Sequence, residues 1–206
     1  MKKIPTLFKR EFDKRHRIIS CGPDFSSPDL GDWVLNDCLP TIKVDGSCCA
    51  VIDGVFYKRY DAKKGKPIPE GAIKCQDDPD PFTGHLPCWV KCDRNNPSDK
   101  WLWEAYDNFT LCLSSFIKEH NLTYEAIGPH IQGNSYNKDS HILVIHGLCP
   151  VISPLKDFES VKTFLQKTPI EGIVWWDIHK HIPIAKIKRS DFGYKWPCEG
   201  ATDIIF

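Results

Sequence analysis

Residues 41–49 constrain the fold more than any other part of this chain. Their sequence, TIKVDGSCC, places a lysine two residues before an Asp-Gly pair, with apolar or β-branched residues on both sides. Asp-Gly favours a turn, and short runs of β-branched residues favour strands. The pattern therefore predicts strand, turn and strand, with Lys43 at the end of the first strand.

A lysine in this position can act as a nucleophile. Its amine must then lose a proton, so burial or a neighbouring cation must lower its pKa from the ordinary value of about 10.4. Lys-X-Asp-Gly also occurs in hairpins whose lysine is simply solvated. The motif around Lys43 leaves both interpretations open when it is considered alone.

Four further motifs follow Lys43 along the chain. They are YKRY at 57–60, YEAIG at 124–128, EGIVWW at 171–176 and AKIKR at 185–189. In this order the five motifs resemble those of the covalent nucleotidyltransferases, which include ATP-dependent RNA and DNA ligases and mRNA capping guanylyltransferases. Each motif is weak by itself, but five in the right order with compatible gaps are a strong signal.

The likeness extends to one family, the small ATP-dependent 5′-to-3′ RNA ligases of vertebrate and viral type. The residues that carry it are 43–49, GHLP at 84–87 with Trp89, Ile127-Gly128 with Gly133-Asn134, His146-Gly147, 171–175, and Phe192-Gly193 with Trp196-Pro197. The resemblance implies an α+β adenylyltransferase (ATP-grasp-like) domain, in which antiparallel sheets surround an ATP cleft and helices flank them.

The same resemblance implies one nucleotidyltransferase domain over residues 1–206. Relatives that ligate DNA or cap mRNA carry a C-terminal oligonucleotide-binding (OB) barrel. Too few residues follow Lys188 for such a five-stranded barrel, so no OB domain is expected.

The resemblance also implies an enzyme, an ATP-dependent RNA ligase with a role in RNA repair. In this family a lysine takes AMP from ATP and releases pyrophosphate. The AMP passes to the 5′-phosphate of RNA, and a 3′-hydroxyl then displaces it to form the phosphodiester bond. The implied cofactors are ATP and Mg²⁺ or Mn²⁺. Two alternatives stay open: a GTP-dependent guanylyltransferase of the capping type, and a non-catalytic RNA-end-binding protein.

By motif match, the resemblance assigns each functional residue a place in this chemistry. The catalytic residue is Lys43, the metal-binding residue is Glu171, and the nucleotide-binding residues are Ile42, Asp45, Gly46, Arg59, Glu125, His146, Lys186 and Lys188. A glycine such as Gly46 lets backbone approach a nucleotide closely. The guanidinium of Arg59 can hold phosphate, unless it is only a surface arginine.

Glu125 corresponds to the acid that accepts hydrogen bonds from ribose hydroxyls, and an outward-facing strand glutamate is the alternative. His146 lies where many relatives carry an aromatic residue that stacks on adenine, and it departs from the commoner phenylalanine. An imidazole can stack too, but a core histidine with satisfied hydrogen bonds is equally compatible with the sequence.

Glu171 begins an apolar run and corresponds to the acid that binds a divalent cation. Lys186 and Lys188 alternate with Ala185 and Ile187, so strand geometry places both lysines on one face. Two cations near the α-phosphate would stabilise the charge that develops there.

Composition limits the remaining possibilities. The formal net charge is zero, so an RNA site must be a local patch. Residues 2–17 are rich in lysine and arginine and form either a phosphate-contacting arm or a solvated lead-in. No apolar run could span a membrane and no signal peptide is evident, so an intracellular protein, cytoplasmic or nuclear, is expected. Neither a membrane nor an obligate protein partner is implied.

The longest segment without clear periodicity is 63–97, which we expect to be a functional loop or a subdomain edge. It contains Cys75, His85, Cys88 and Cys92, whose spacing does not match paired Cys-X-X-Cys units. We therefore expect no structural zinc there. Apolar periodicity predicts amphipathic helices over residues 97–120 and 154–167, the second capped by Ser153.

Overall fold

The structure is a computed structural model that describes residues 1–15, 17–81, 83–119, 121–204 and 206, without the side chains of 111–119. The chain divides into two compact units. The first unit comprises Met1–Lys3 and Asp45–His146, and the second comprises Ile4–Val44 and Gly147–Phe206. The expectation of one nucleotidyltransferase domain over 1–206 stays a prediction.

The described residues form eleven strands and three α-helices. The strands are β1 Phe8–Phe12, β2 Ile18–Phe25, β3 Leu39–Lys43, β4 Ser47–Ile52, β5 Val55–Ala62, β6 Ile73–Lys74, β7 Leu86–Lys91, β8 Leu122–Ile127, β9 Ile142–Ile145, β10 Gly172–Asp177 and β11 Ile182–Lys188. The helices are α1 Asp32–Asp37, α2 Lys100–Glu119 and α3 Phe158–Lys167. Every strand pairing is antiparallel, which confirms the predicted α+β class. None of the described helices is long and apolar enough to cross a membrane.

The first unit is a six-stranded sheet in the order β6-β7-β5-β4-β8-β9. Buried residues of β4, β5 and β8 form a core with Leu102 and Ala105 of α2. β4 and β5 join through Asp53-Gly54, whose φ angles of 49° and 74° are those of a tight hairpin turn. The sequence predicts this turn, and the structure confirms it.

The second unit contains a three-stranded sheet in the order β11-β10-β3 and the separate hairpin β1-β2. The sheet buries Ile173, Trp175 and Ile187 in a core that also contains Val161 and Leu165 of α3. Because β3 pairs with β10 and not with β4, the strands on either side of the Asp45-Gly46 turn belong to different sheets.

One expected helix boundary is wrong, and two segments contain strands that the sequence did not predict. Much of the basic N-terminal segment is paired in the β1-β2 hairpin, and segment 63–97 contains β6 and β7, of which β6 is an edge strand, as expected of a subdomain edge. The sequence of β7 does not alternate between apolar and polar residues, because Leu86–Trp89 are buried on both faces of the sheet. α3 begins at Phe158 rather than near Pro154, because Asp157 and Ser160 form a reciprocal capping box.

Prediction: replacing Gly172 by alanine destabilises the second unit. A Cβ at Gly172 would lie 2.2 Å from the carbonyl oxygen of Ile187 and 2.9 Å from Cα of Lys188, so the β10-β11 pair would have to shift. Overpacking of this kind costs about 1–3 kcal/mol of unfolding free energy.

Urea unfolding of the Gly172→Ala and Gly22→Ala variants measures this cost. Gly22 lies in the same unit, and a Cβ there would meet nothing within 4 Å. Equal stability of the two variants would contradict the packing argument.

Candidate active site

Strand pairing brings three lysines to one face of the second unit's sheet. Lys43 on β3 and Lys188 on β11 both lie opposite Gly172, one on each side of β10. Lys186 lies opposite Val174 on the same strand. Directly opposed residues of antiparallel strands share a face. We call Lys43, Lys186 and Lys188, with Glu171 beside them, the lysine face.

The alternate positions of the same strands face the core. Ala185 and Ile187 are fully buried, which confirms the predicted alternation with Lys186 and Lys188. Ile42, assigned to nucleotide binding by resemblance, packs against this core and donates its N–H to the carbonyl of Cys149 at 2.8 Å. Its side chain therefore serves packing.

Lys43 forms an ion pair with Glu171, whose carboxylate Oε2 lies 2.5 Å from Nζ. Glu171 directly precedes β10 and is only 8% exposed. Burying a carboxylate is costly unless a partner compensates its charge, so the pair stabilises both groups in place. Lys43, which leaves two interpretations open in the sequence, is therefore a partly buried lysine with a carboxylate partner.

Lys186 is the lysine whose protonation is most perturbed. Burial, together with the positive charges of Lys43, Arg10 and Lys188, lowers its pKa from 10.5 to about 8, while the charge of Glu171 opposes this shift. The lysine face is thus a concentration of positive charge with one carboxylate.

Arg10 belongs to this charge arrangement, and the motifs give no sign of it. Its guanidinium donates to both oxygens of the fully buried Asp191 at 2.9 and 3.1 Å. Asp191 also accepts the backbone N–H of Lys188 at 2.8 Å. Because the two partners are far apart in sequence, only the fold brings them together.

In the first unit, Asp45 and Gly46 are fixed by neighbouring protein groups. The N–H of Asp45 donates to the hydroxyl of Tyr136 at 2.8 Å, and Ser135 donates to the Asp45 carboxylate at 3.0 Å. A Cβ at Gly46 would lie 2.2 Å from the carbonyl oxygen of Ala126. The close approach that requires glycine here is therefore to β8, and a role for Gly46 toward a nucleotide stays a prediction.

Cys48, Thr123, Glu125 and His146 form a second group, which we call the Glu125 cluster. Cys48 lies directly opposite Glu125 across β4-β8. His146 Nε2 is 2.9 Å from Glu125 Oε2, and His146 Nδ1 is 2.9 Å from the Thr123 hydroxyl. An ionised carboxylate only accepts, so Nε2 is the donor to Glu125, and the Thr123 hydroxyl, which can donate or accept, pairs with Nδ1. Glu125 is thus an inward, partnered acid rather than an outward-facing one.

Arg59 lies on β5 of the same sheet. It donates to Asp61 at 2.8 Å and to the carbonyl of Met1 at 2.9 Å. Burial and the charge of Glu125 together raise the pKa of the Cys48 thiol to about 12, and the charge of Arg59 opposes this shift. The Arg59 charge therefore acts at the Glu125 cluster, which supplies oxygen acceptors, a cation and a flat imidazole for a polar ligand.

Comparisons with known proteins give one family. A family model described as RNA ligase 1 matches residues 104–204, about half of the chain. That range includes Glu125, His146, Glu171 and the two lysines of β11, but not Lys43.

The relatives have the same description. RNA ligase 1 of Danio rerio is 28% identical over 144 residues, which cover 55% of this chain and 42% of that protein. RNA ligase 1 of Pongo abelii is 25% identical over 228 residues, which cover 77% and 68%. RNA ligase 1 of Rattus norvegicus is 25% identical over 171 residues, which cover 68% of this chain and 47% of that protein. The chain thus spans less than half of the Danio rerio and Rattus norvegicus relatives.

Prediction: Lys186 makes stability depend on pH. Its folded pKa of about 8 lies below the ordinary 10.5, so between these values the unfolded chain binds more protons than the folded chain. The Lys186 contribution to unfolding free energy is therefore lowest below pH 8 and rises from pH 8 to 10.5. At pH 7 the unfolding free energy of Lys186→Met should exceed that of wild type by about 1–3 kcal/mol, and this difference should be smaller at pH 10.

Urea unfolding between pH 7 and 10 gives this difference. Lys180→Met, at a side chain that is 73% exposed, is the matched control and should differ from wild type by a constant amount. A pH-independent difference for Lys186→Met would overturn the assignment.

Proposed function

We propose, from the premise that this chain belongs to the RNA ligase family, that it is an ATP-dependent RNA ligase. It works through a lysyl-AMP intermediate and an adenylylated RNA 5′ end. The observation that carries the proposal is the lysine face, where Lys43 ends β3 beside the buried Glu171 and shares one sheet face with Lys186 and Lys188. The fold would be the ATP-grasp-like adenylyltransferase type.

Lys43 is the proposed nucleophile. The ammonium first gives a proton to solvent, and the amine nitrogen then attacks the α-phosphorus of ATP. An N–P bond forms, the bond to the bridging oxygen breaks, pyrophosphate leaves with its electron pair, and the nitrogen gives a second proton to solvent or to pyrophosphate. The Glu171 carboxylate favours the charged ammonium while the ion pair persists. Attack therefore requires the pair to separate, and Glu171 holds the side chain in place until then.

Lys186 and Lys188 would stabilise the negative charge that develops on the α-phosphate. They are fixed cations on the Lys43 face, and prepositioned charge needs no reorganisation during the reaction. Arg10 supports them indirectly, because its bidentate bond fixes Asp191, which in turn accepts the Lys188 N–H.

Glu171 is also the residue that would hold a divalent cation. One protein carboxylate with substrate phosphate and water fits Mg²⁺, and Mn²⁺ accepts the same oxygen donors. When bound, the ion supplies Lewis-acid stabilisation of phosphate oxygens. The chain's own part is to position that carboxylate, which the Lys43 pair and the Arg189 N–H bond to the Glu171 carbonyl support.

The Glu125 cluster would bind the nucleoside part of ATP. Glu125 can accept from ribose hydroxyls, and the His146 ring is oriented by Thr123 and Glu125 so that it could stack on adenine. Arg59 would add a cation near phosphate or ribose. Later steps return AMP: an RNA 5′-phosphate oxygen displaces Lys43 from phosphorus, and a 3′-hydroxyl oxygen then displaces AMP.

Prediction: with ATP and Mg²⁺ the wild-type chain gains the mass of one AMP, and Lys43→Arg does not. Arginine keeps the positive charge beside Glu171 but cannot serve as the amine nucleophile. Intact-protein mass spectrometry measures the adduct. Lys91→Arg, at an exposed position of β7, is the matched control and should label normally.

The nucleotide decides between the ligase and its alternatives. A GMP adduct formed in preference to AMP would favour a capping-type guanylyltransferase, and RNA binding without any adduct would favour a non-catalytic end-binding protein. An undiminished adduct in Lys43→Arg would sink the assignment of the nucleophile.

The tip of the β1-β2 hairpin is the candidate grip for RNA. Lys14 and Arg15 are exposed there, and Phe12 at the end of β1 is 51% exposed. Exposed cations contact phosphates, and an exposed aromatic ring can stack on an unpaired base. Asp13 shapes the tip by accepting the N–H groups of Arg15 and Arg17.

Prediction: the double variant Lys14→Glu/Arg15→Glu lowers RNA sealing by about tenfold or more relative to its self-adenylylation, and added salt shrinks the defect. Gel-resolved sealing of 5′-phosphate and 3′-hydroxyl RNA ends measures the ratio. Lys156→Glu/Lys195→Glu changes the charge of the same unit equally, at exposed positions away from the hairpin sequence. Equal loss in both variants would rule out a local grip.

A further inference from the structure

We propose that Cys48, Glu125 and His146 form a binding site for a thiophilic divalent cation of the Zn²⁺ type. The potential ligand atoms of these three residues all lie within 4.8 Å of one another. None of them is a cysteine of segment 63–97, and none is Glu171.

Strand register builds this group. Cys48 and Glu125 are directly opposed across β4-β8, so their side chains share a face. His146 follows β9, and its N–H donates to the carbonyl of Thr123, two residues before Glu125. The three ligands therefore come from three adjacent strands of one sheet, which is a rigid base for a metal site.

The distances are close to those of a zinc site. Zinc bonds of about 2.0–2.3 Å in a tetrahedral arrangement put neighbouring ligand atoms roughly 3.3–3.8 Å apart. His146 Nε2 and Glu125 Oε2, now 2.9 Å apart, would separate slightly, and no pair of the ligand atoms is more than 4.8 Å apart. Three protein ligands leave a fourth position open for water or another donor.

Thr123 provides the support that a ligating histidine needs. Its hydroxyl lies 2.9 Å from His146 Nδ1, and a hydroxyl can donate or accept. When Nε2 binds the ion, the ring proton is on Nδ1, and the Thr123 hydroxyl accepts a hydrogen bond from this N–H. The Cys48 thiol loses its proton to solvent on binding, because only the thiolate binds metal. Binding one ion therefore releases one proton.

The ligand set selects against Mg²⁺. A thiolate and an imidazole favour zinc and similar ions, whereas Mg²⁺ prefers oxygen donors. If the proposed function holds, an ion at this site occupies the atoms of Glu125 and His146 that would contact the nucleoside. The site then makes adenylylation sensitive to zinc, and this second part rests on the proposed function.

The direct test is calorimetric titration of Zn²⁺ into chelator-treated protein without ATP. We expect one ion per chain, one proton released in buffers of different ionisation enthalpy, and affinity at least tenfold weaker in Cys48→Ser and in His146→Gln. Co²⁺ should give thiolate-to-metal charge-transfer absorption in wild type that Cys48→Ser lacks. Cys198→Ser, in the second unit, is the control thiol and should bind like wild type.

Failure to bind stoichiometric Zn²⁺, or equal affinity in wild type and both variants with circular dichroism confirming their fold, would overturn the site. The functional arm measures self-adenylylation with one equivalent of Zn²⁺ under excess Mg²⁺ as a fraction of the same protein's rate without Zn²⁺, in wild type and in Cys48→Ser, which keeps the Glu125 and His146 side chains. ATP chelates Zn²⁺ equally in both experiments. A loss of self-adenylylation confined to wild type therefore supports blocking of the nucleoside site by Zn²⁺, and an equal loss in both proteins overturns it. Zinc binding without any adenylylation would leave the site standing and remove the proposed function instead.

Discussion

A β-sheet has two faces, and the core of the second unit occupies one of them. Ile173 on β10 and Ile187 on β11 are fully buried on that face, so the positions that alternate with them along each strand must point the other way. Antiparallel register then aligns Lys43, Lys186 and Lys188 on the outward face. A register slip of one residue would bury the lysines, so the same burial that stabilises the sheet fixes its charged face.

Glycine allows close backbone packing beside both clusters. At Gly172 a side chain would meet the carbonyl of Ile187, and at Gly46 it would meet the carbonyl of Ala126. Gly172 also leaves the position between Lys43 and Lys188 without a side chain. Both glycines lie next to motif residues, which explains why a motif can require glycine without any contact between that glycine and a ligand.

Local signals made the strands around Lys43, the Asp53-Gly54 turn and the alternation of Lys186 with Ile187 predictable from sequence. Non-local pairing was not predictable. Arg10 reaches Asp191 only through the fold, and Cys48 meets His146 only because β4, β8 and β9 are adjacent. The strand β7 and the start of α3 were missed because burial on both faces hides a period of two, and because a capping box at Asp157 outweighs a proline near Ser153.

The Lys43–Glu171 pair sets a requirement on any chemistry at the lysine face. A carboxylate 2.5 Å from Nζ pairs with a partly buried lysine, and in the proposed reaction this pair would have to separate before the amine attacks. Lys186, with a pKa near 8, acts in the other direction, since its charge disfavours a second ammonium nearby and attracts phosphate. An anion would neutralise the charges of Lys186 and Lys188, and a cation would draw Glu171 away from Lys43. Together they would change both the attraction of Glu171 and the repulsion of Lys186 that act on Lys43. In the proposed reaction, release of Lys43 from its ion pair would therefore be coupled to the arrival of a charged substrate.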